Sequence, residues 1–248
     1  MTRRTAFVTG AAQGIGAEIA VALARDGFDV AVSSTRVEKL SEIASRIEAA
    51  GGRALPVQLD VRSQESIEKA ISQAAAGLGH VEVLVNNAAA ALKKLAIDMT
   101  ADDWDLVMDT NLKGVFFMTQ RMGRYLIAAG RPGLIISIAS THGLVALEER
   151  VGYGIAKAGV MHMTRMLAYE WAQHGIRLNA VAPGRVNTPS RTVSLADAGF
   201  KERMLARVPL KRFAESGEVA AAVCYLASPA AEYITGQTLV LDGGLTTY

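Results

Sequence analysis

Short apolar stretches alternate along the chain with longer segments in which apolar residues recur at helical spacing. The first unit begins with the apolar stretch 6–8 and continues, after a glycine-rich turn, into 17–26. In the second segment Ile19, Ala20 and Leu23 fall on one face of a helix. The pattern therefore predicts a buried strand, a tight turn and a helix, in that order.

The same alternation continues to the end of the chain. The other predicted strands are 30–32, 54–59, 81–85, 134–138, 177–182 and 238–241, and the other predicted helices are 37–50, 63–76, 100–129 and 152–174. Ser63 is a plausible N-cap, and Thr100 with Asp103 resembles a capping box. Strands that alternate with helices imply parallel pairing through right-handed crossovers. We therefore expect one doubly wound α/β domain, with a seven-stranded parallel sheet flanked by helices.

Composition agrees with one globular domain and narrows the class of protein. The 248 residues are 50% hydrophobic and 20% charged, which is enough apolar material for a substantial core. A formal net charge of +2 indicates no nucleic-acid partner, and no apolar run is long enough to span a bilayer. The one cysteine, Cys224, excludes an internal disulfide framework and fits a reducing compartment, so we expect a cytoplasmic protein.

The turn after the first predicted strand has the glycine spacing G-x3-G-x-G, from Gly10 through Gly14 to Gly16. Glycines allow the backbone to turn tightly and to approach a pyrophosphate, which then lies at the N-terminus of the following helix. A turn of this kind can also be no more than a tight connection. The strand-turn-helix context favours a nucleotide-binding site.

A second candidate site is the motif Ser-x12-Tyr-x3-Lys, formed by Ser140, Tyr153 and Lys157. Residues four apart on a helix share a face, so the phenol and the ammonium can lie in one site. A free tyrosine has a pKa of about 10 and is a poor base near neutrality, but a nearby cation favours its phenolate. The pair therefore indicates general acid–base chemistry.

Together these motifs resemble the short-chain dehydrogenase/reductase family over nearly the whole chain. The further matches are Asp60-Val61 after the third strand, Asn86-Asn87-Ala88-Ala89 with alanine in place of the last glycine of the family's motif, Asn111 in a helix, and Pro183-Gly184 followed by Thr188. The resemblance implies a Rossmann-like fold, with a cofactor-binding half at about 1–130 and a catalytic and substrate half at about 131–248.

The resemblance also implies the chemistry, which is hydride transfer between a nicotinamide cofactor and a ketone or secondary alcohol, with no metal required. Its catalytic residues are Asn111, Ser140, Tyr153 and Lys157. Substrate contacts are expected from Ser140, His142, Tyr153 and Gly184. The residues expected to bind the cofactor are Gly10, Gln13, Gly14, Ile15, Gly16, Thr35, Arg36, Asp60, Val61, Asn87, Ala88, Ala89, Tyr153, Lys157, Pro183, Gly184, Val186 and Thr188.

The end of the second strand bears on the choice of cofactor. Members of the family that use NAD usually have an acid where this chain has Thr35, and Arg36 follows it. A guanidinium can pair with a 2′-phosphate. Gln13 stands where members that use NADP often have a second basic residue. NADP(H) is therefore favoured, and NAD(H) stays open.

The C-terminal run 233–244 resembles the 3-oxoacyl-carrier-protein reductase branch, although many sugar, polyol and steroid dehydrogenases share it. The leading hypothesis is an NADPH-dependent carbonyl or 3-oxoacyl reductase. The alternative is an NAD-dependent dehydrogenase of a sugar acid, polyol or cyclic alcohol. A cofactor-sensing regulator fits less well, because Tyr153 and Lys157 are both present. A carrier-protein partner would need basic residues near the cleft, and its support is partial, because Arg131 is one candidate but His174 stands where a second basic residue is sought.

Two expectations concern surfaces. The long helices 100–129 and 152–174 hold more apolar residues than one buried face needs, which together with the resemblance favours a homotetramer. The stretch 188–209 is the longest without a clear pattern. It mixes small and polar residues with Leu195, Phe200 and Met204, and we expect it to be a substrate lid.

Overall fold

Seven parallel strands form the central sheet of the computed structural model, which describes residues 3–189 and 198–247. The strands are β1 (Arg4–Val8), β2 (Phe28–Ser34), β3 (Ala54–Gln58), β4 (Val83–Asn86), β5 (Gly133–Ile138), β6 (Ile176–Pro183) and, after the short strands β7 (Val186–Asn187) and β8 (Ala214–Glu215), β9 (Thr238–Leu241). Their order in the sheet is β3-β2-β1-β4-β5-β6-β9, and all neighbours are parallel. The predicted fold class is confirmed.

Helices cover both faces of the sheet. They are α1 (Gly14–Arg25), α2 (Ser41–Ala49), α3 (Gln64–Leu78), α4 (Ala101–Met108), α5 (Gly114–Ala128), α6 (Val151–Trp171), α7 (Ala198–Ala206) and α8 (Ser216–Ala227). One buried cluster joins α1, α2 and α8 to alternate strand residues such as Val30 and Val32. A second cluster joins α3, α5 and α6 to the strand residues between these, such as Ala31. The twofold periodicity of a strand explains this division, since successive side chains point to opposite faces.

Both predicted helix starts are confirmed. The Ser63 hydroxyl accepts a hydrogen bond from Ser66 N at 3.2 Å, and Thr100 and Asp103 form a reciprocal capping box. These signals are local, because the capping side chain and its backbone partner are three residues apart.

Several details of the predicted elements are wrong. The predicted helix 100–129 is interrupted by a π-helical turn at Asp109–Lys113, and the predicted helix 37–50 begins with the 3-10 turn Val37–Leu40. Sequence patterning missed α8, whose sequence SGEVAAAVCYLA is rich in alanine and so shows little contrast between its faces. The supposedly patternless stretch 188–209 contains the helix α7.

Part of the predicted lid lies outside the described residues. This applies to 190–197, with Ser190, Ser194, Leu195 and Asp197, and to the side chain of Phe200. Within the described ranges, no helix is both long enough and apolar enough to cross a membrane.

Candidate active site

A cavity of about 590 Å³ lies at the carboxyl edge of the sheet, where the strand order reverses between β1 and β4. Open α/β sheets bind ligands at this kind of switch point. Of the residues predicted from sequence, those lining the cavity are Gly10, Gln13, Gly14, Ile15, Gly16, Thr35, Asp60, Val61, Asn87, Ala88, Ala89, Tyr153, Lys157 and Thr188. The fold thus brings the glycine turn and the Tyr-x3-Lys pair, far apart in sequence, to one cavity.

The glycine turn forms a wall that excludes side chains. Gly10 has φ +64°, in the left-handed region that favours glycine. A Cβ on Gly16 would come within 2.6 Å of Gly10 O and would also meet the Asn87 amide. Backbone N–H groups at the start of α1 therefore face an approaching anion without obstruction. This exposed backbone fits the pyrophosphate of a dinucleotide.

The loop after β4 is fastened to this turn. Asn87 Nδ2 donates to Thr9 O at 3.0 Å and to Gly10 O at 2.9 Å. Thr9 Oγ1 accepts from both Asn87 N and Ala88 N at 3.0 Å. These bonds hold the ends of β1 and β4 in register, so the two walls of the cavity keep a constant separation.

Lys157 is a buried cation in the cavity wall. Its side chain is buried, with Nζ donating to Ile138 O at 2.7 Å and lying 5.6 Å from the centroid of the Tyr153 ring. Burial lowers the lysine pKa from 10.5 to about 8. The first turns of α6 thus place a cation beside a phenol.

Ser140 and His142 lie just beyond the end of β5. Ser140 is buried, and its Oγ accepts from His142 N at 3.2 Å. The His142 ring stands edge-on to Tyr153, with 5.8 Å between the ring centroids. The turn after β5 therefore lies against the Tyr153 ring.

Asn111 lies within the π-helical turn and is completely buried. Its Nδ2 donates to Ala90 O at 2.7 Å and to Val107 O at 2.9 Å, and its Oδ1 accepts from Ala90 N at 3.1 Å. A π turn widens the helix by one residue and often occurs at functional sites. Here it lets Asn111 fix the loop that follows β4.

That loop is also held by the segment before α6. Arg150 Nη1 donates to Leu92 O at 3.0 Å, and Lys94 N donates to Glu149 O at 3.1 Å. Lys93 pairs with the Glu149 carboxylate at 2.8 Å, although Glu149 has the unfavourable φ of +62°. Sequence reasoning did not predict these links, which join two loops that are distant in sequence.

The remaining predicted residues do not line the cavity: Arg36, Asn111, Ser140, His142, Pro183, Gly184 and Val186. Pro183 ends β6 and Val186 begins β7, just before Thr188, which does line it. Gly184 donates from N to Leu241 O at 2.9 Å, and a Cβ there would lie 2.9 Å from the Asp242 backbone. Arg36 is exposed. Its predicted cofactor contact therefore stays a prediction.

Sequence reasoning missed several residues of the cavity wall, among them Ser33, Ser34, Leu106, Thr110 and Arg62. Arg62 pairs with Asp60 through Nη2–Oδ2 at 2.7 Å, and this pairing lowers the Asp60 pKa. The available signal was an arginine two positions after the acidic residue expected to contact adenine. Among the residues that the structure describes, no three His, Cys, Asp or Glu side chains are placed to hold a metal ion.

Comparison with known proteins shows similarity along the full chain. A family model described as Enoyl-(Acyl carrier protein) reductase matches residues 10–246. The 3-oxoacyl-[acyl-carrier-protein] reductase of Staphylococcus epidermidis is 39% identical over 243 residues, covering 98% of both chains. The 2-dehydro-3-deoxy-D-gluconate 5-dehydrogenase of Escherichia coli is 35% identical over 241 residues, covering 97% of this chain and 94% of that one.

Solved structures agree. A protein of Sinorhizobium meliloti, described as a short-chain alcohol dehydrogenase, has a TM-score of 0.95 at 40% identity, covering 100% of this chain and 98% of that one. A single-residue variant of the actinorhodin polyketide ketoreductase, solved with NADPH, has a TM-score of 0.93 at 36% identity, covering 99% of this chain and 98% of that one.

Proposed function

Because the chain belongs to the short-chain dehydrogenase/reductase family, we propose that it is an NADPH-dependent reductase of a 3-oxoacyl or similar ketone. At the coarser level it is an oxidoreductase that acts on CH–OH groups with NAD(P). The observation that carries the proposal is the buried Lys157 beside the Tyr153 ring, in the cavity that the glycine turn also lines.

The cofactor, when bound, supplies the hydride that reaches the carbonyl carbon. The Ser140 hydroxyl donates a hydrogen bond to the substrate oxygen, and the Tyr153 phenol gives that oxygen its proton. The Lys157 cation favours the resulting phenolate. Asn111 holds the loop after β4 against the π-helical turn and so keeps the cavity wall in place. In the oxidative direction each proton step reverses.

The experiment that tests this assignment is Tyr153→Phe. General acid–base catalysis typically contributes about 10²- to 10⁴-fold, so kcat for reduction of a 3-oxoacyl thioester should fall by that factor. The Kd for NADPH should change little. Tyr169→Phe is the matched control, since Tyr169 lies on the same helix and its side chain is 91% exposed. Near-normal turnover in a folded Tyr153→Phe protein would refute the role of the tyrosine.

The preference for NADPH is proposed from the end of β2. Thr35 lines the cavity there and presents no carboxylate to repel a 2′-phosphate. Arg36 is exposed and forms no ion pair with any described residue, so its charge is available. The ketoreductase among the similar structures contains NADPH. Thr35→Asp combined with Arg36→Ser should reverse the preference, and a higher kcat/KM for NADH in the unaltered enzyme would contradict the proposal.

One observation favours the alternative of a sugar-acid dehydrogenase. Arg150, half-buried three residues before Tyr153, uses Nη1 on Leu92 O and pairs with no carboxylate of the described residues. A guanidinium that no neighbouring carboxylate neutralises suits an anionic substrate. The 35% identical gluconate-derivative dehydrogenase supports the same idea. A panel of 3-oxoacyl thioesters and keto sugar acids, each with both cofactors, decides between the two substrate classes.

The assembly and the carrier-protein partner are linked proposals. Arg131 and His174 are exposed at the amino ends of β5 and β6, where Gly133 N donates to Gly175 O. This edge of the sheet is opposite the cavity, so a carrier bound there would serve another subunit's site. A homotetramer is consistent with exposed apolar residues on α6, such as Met166, which is 59% exposed. Light scattering that gives a monomer mass at micromolar concentration would refute the tetramer.

A further inference from the structure

Two cations line the cavity among the residues that the structure describes, and they occupy different parts of its wall. Lys157 lies beside Tyr153. Arg62 follows the end of β3, and the strand pairing of β3 with β2 brings it to the part of the cavity that Ser34, Thr35 and Leu59 also line. Under the proposed function, that part receives the adenosine half of the cofactor, because the glycine turn between the two ends takes the pyrophosphate.

Arg62 is held in a fixed orientation by Asp60. Its Nε donates to Asp60 Oδ1 at 3.0 Å, its Nη2 donates to Oδ2 at 2.7 Å, and its backbone N donates to Oδ1 at 3.0 Å. The Asp60 backbone is itself fixed, because Asp60 N donates to Ser66 Oγ at 3.0 Å and Ser63 N donates to Asp60 O at 3.1 Å. The plane of the guanidinium is thus set by the first turn of α3.

This pairing decides which ligand chemistry Arg62 suits. A bidentate carboxylate compensates the charge of the guanidinium, so Arg62 attracts a phosphate weakly. The flat faces of the guanidinium stay available, and such faces stack on aromatic rings. Asp60 Oδ1 accepts from both Arg62 Nε and Arg62 N, whereas Oδ2 accepts from Arg62 Nη2 and has a second lone pair that can accept from an amino group. A flat cationic face beside a carboxylate matches a purine that has an exocyclic amine.

Arg36 has the opposite properties. It is exposed, lies outside the cavity wall and pairs with no carboxylate among the described residues. Its charge is therefore uncompensated and suits a phosphate at the edge of the cavity. The two arginines at this end of the cofactor cavity differ in whether a carboxylate of the described residues pairs with them, and they therefore suit different ligand groups.

We propose that Arg62 is a binding residue for the adenine base, which stacks on the guanidinium beside the Asp60 carboxylate that the family resemblance already assigns to adenine. The inference rests on the proposed function, since it takes the ligand to be an adenine dinucleotide. Because Arg62 lowers the pKa of Asp60, the charged pair persists in mildly acidic solution. The proposal assigns the reading of a 2′-phosphate to Arg36 and not to Arg62.

The test is a calorimetric titration that measures the Kd of each ligand for each protein. The ligands are NADPH, NADH, ADP and reduced nicotinamide mononucleotide, and the proteins are wild type, Arg62→Ala, Arg62→Lys and Arg36→Ala. Loss of one stacking contact to a base typically weakens binding by about 5- to 150-fold. Arg62→Ala should raise the Kd of NADPH, NADH and ADP by the same factor within that range. Its Kd for the mononucleotide, which lacks adenine, should not change. Arg62→Lys should behave like Arg62→Ala, because it keeps the charge but loses the flat face.

The outcomes are separable. Arg36→Ala should weaken NADPH alone, which makes it the matched control. A loss confined to NADPH in Arg62→Ala would make Arg62 a phosphate-reading residue and overturn the proposal. Unchanged affinities would reduce the Asp60–Arg62 pair to a structural element of the turn before α3. An Arg62-dependent affinity for ADP, without any reduction of ketones by NADPH, would sink the proposed function and keep this inference.

Discussion

Replacing Lys157 with methionine tests whether the site holds a desolvated charge. The wild-type side chain is 2% exposed, and burial lowers its pKa from 10.5 to about 8. A fall of that size corresponds to about 3 kcal/mol of folding free energy. Between these two pH values the unfolded chain binds a proton that the folded protein has released. Folding stability attributable to Lys157 therefore rises with pH across this window, and the cost is fully present below about pH 8.

The magnitude follows from that window. Integrated from about pH 7 to about pH 9.5, the contribution of Lys157 should raise the free energy of unfolding by about 2 kcal/mol. Other groups titrate over the same range, so the useful quantity is the difference between wild type and Lys157→Met. The free energy of unfolding of wild type minus that of Lys157→Met should increase by about 2 kcal/mol from the lower pH to the higher pH. The advantage of methionine in stability is therefore greatest at the lower pH.

Urea denaturation of the cofactor-free proteins at the two pH values provides the measurement. Lys69→Met is the matched control, because it makes the same substitution at a lysine that lies exposed on α3, outside the cavity. Turnover should be lost in Lys157→Met and kept in the control. A wild-type-minus-Lys157→Met difference that stays constant with pH would show that the lysine is not desolvated in the folded protein, and the account of the site would be wrong.

Three further changes test the glycine turn and the loop contacts around the cavity. Gly16→Ala should abolish NADPH binding and cost about 1–3 kcal/mol of stability, since its Cβ would overlap the Asn87 amide; calorimetry that finds wild-type affinity would contradict this. Asn111→Leu should cost about 1–3 kcal/mol in urea unfolding and lower kcat, because it leaves the Ala90 N–H and C=O without the Asn111 amide; an unchanged stability would show that these bonds contribute little. Glu149→Gly should be more stable than Glu149→Ala by about 1 kcal/mol, because both variants lose the carboxylate but a positive φ strains alanine and not glycine. Equal thermal unfolding of the two variants would contradict the strain at this position.

Much of the fold was readable from the sequence because the relevant interactions are short in range. Apolar stretches such as 134–138 predict buried strands by composition alone, and β5 occupies that place. The Ser63 cap depends on a partner three residues away, and it forms as predicted. The Tyr-x3-Lys spacing places Tyr153 and Lys157 on one face of α6, where both line the same cavity.

The residues of the candidate site could be predicted from the sequence only where they belong to a recognisable motif. The glycine spacing predicts a nucleotide-binding turn. That turn is held by a hydrogen bond from Asn87 Nδ2 to Gly10 O, and these two residues are 77 positions apart in the chain. Whether Ser140, Asn111 or Arg36 acts on a ligand stays a prediction, because a motif gives residue identity and not distance to a substrate.

Other features were decided by tertiary structure alone. The π-helical turn at Asp109–Lys113 has no signal in the apolar pattern, and it is followed by a close approach between Gly114 and Val61, where a Cβ on Gly114 would lie 2.6 Å from Val61 O. The buried state of Lys157 depends on Ile138 O and the surrounding core. Arg62 pairs with Asp60, whereas Arg36 pairs with no carboxylate in the described part of the chain, although both are arginines that follow a strand. Local sequence sets which conformations a segment prefers, but desolvation and charge pairing depend on which distant atoms the folded chain brings within a few ångströms.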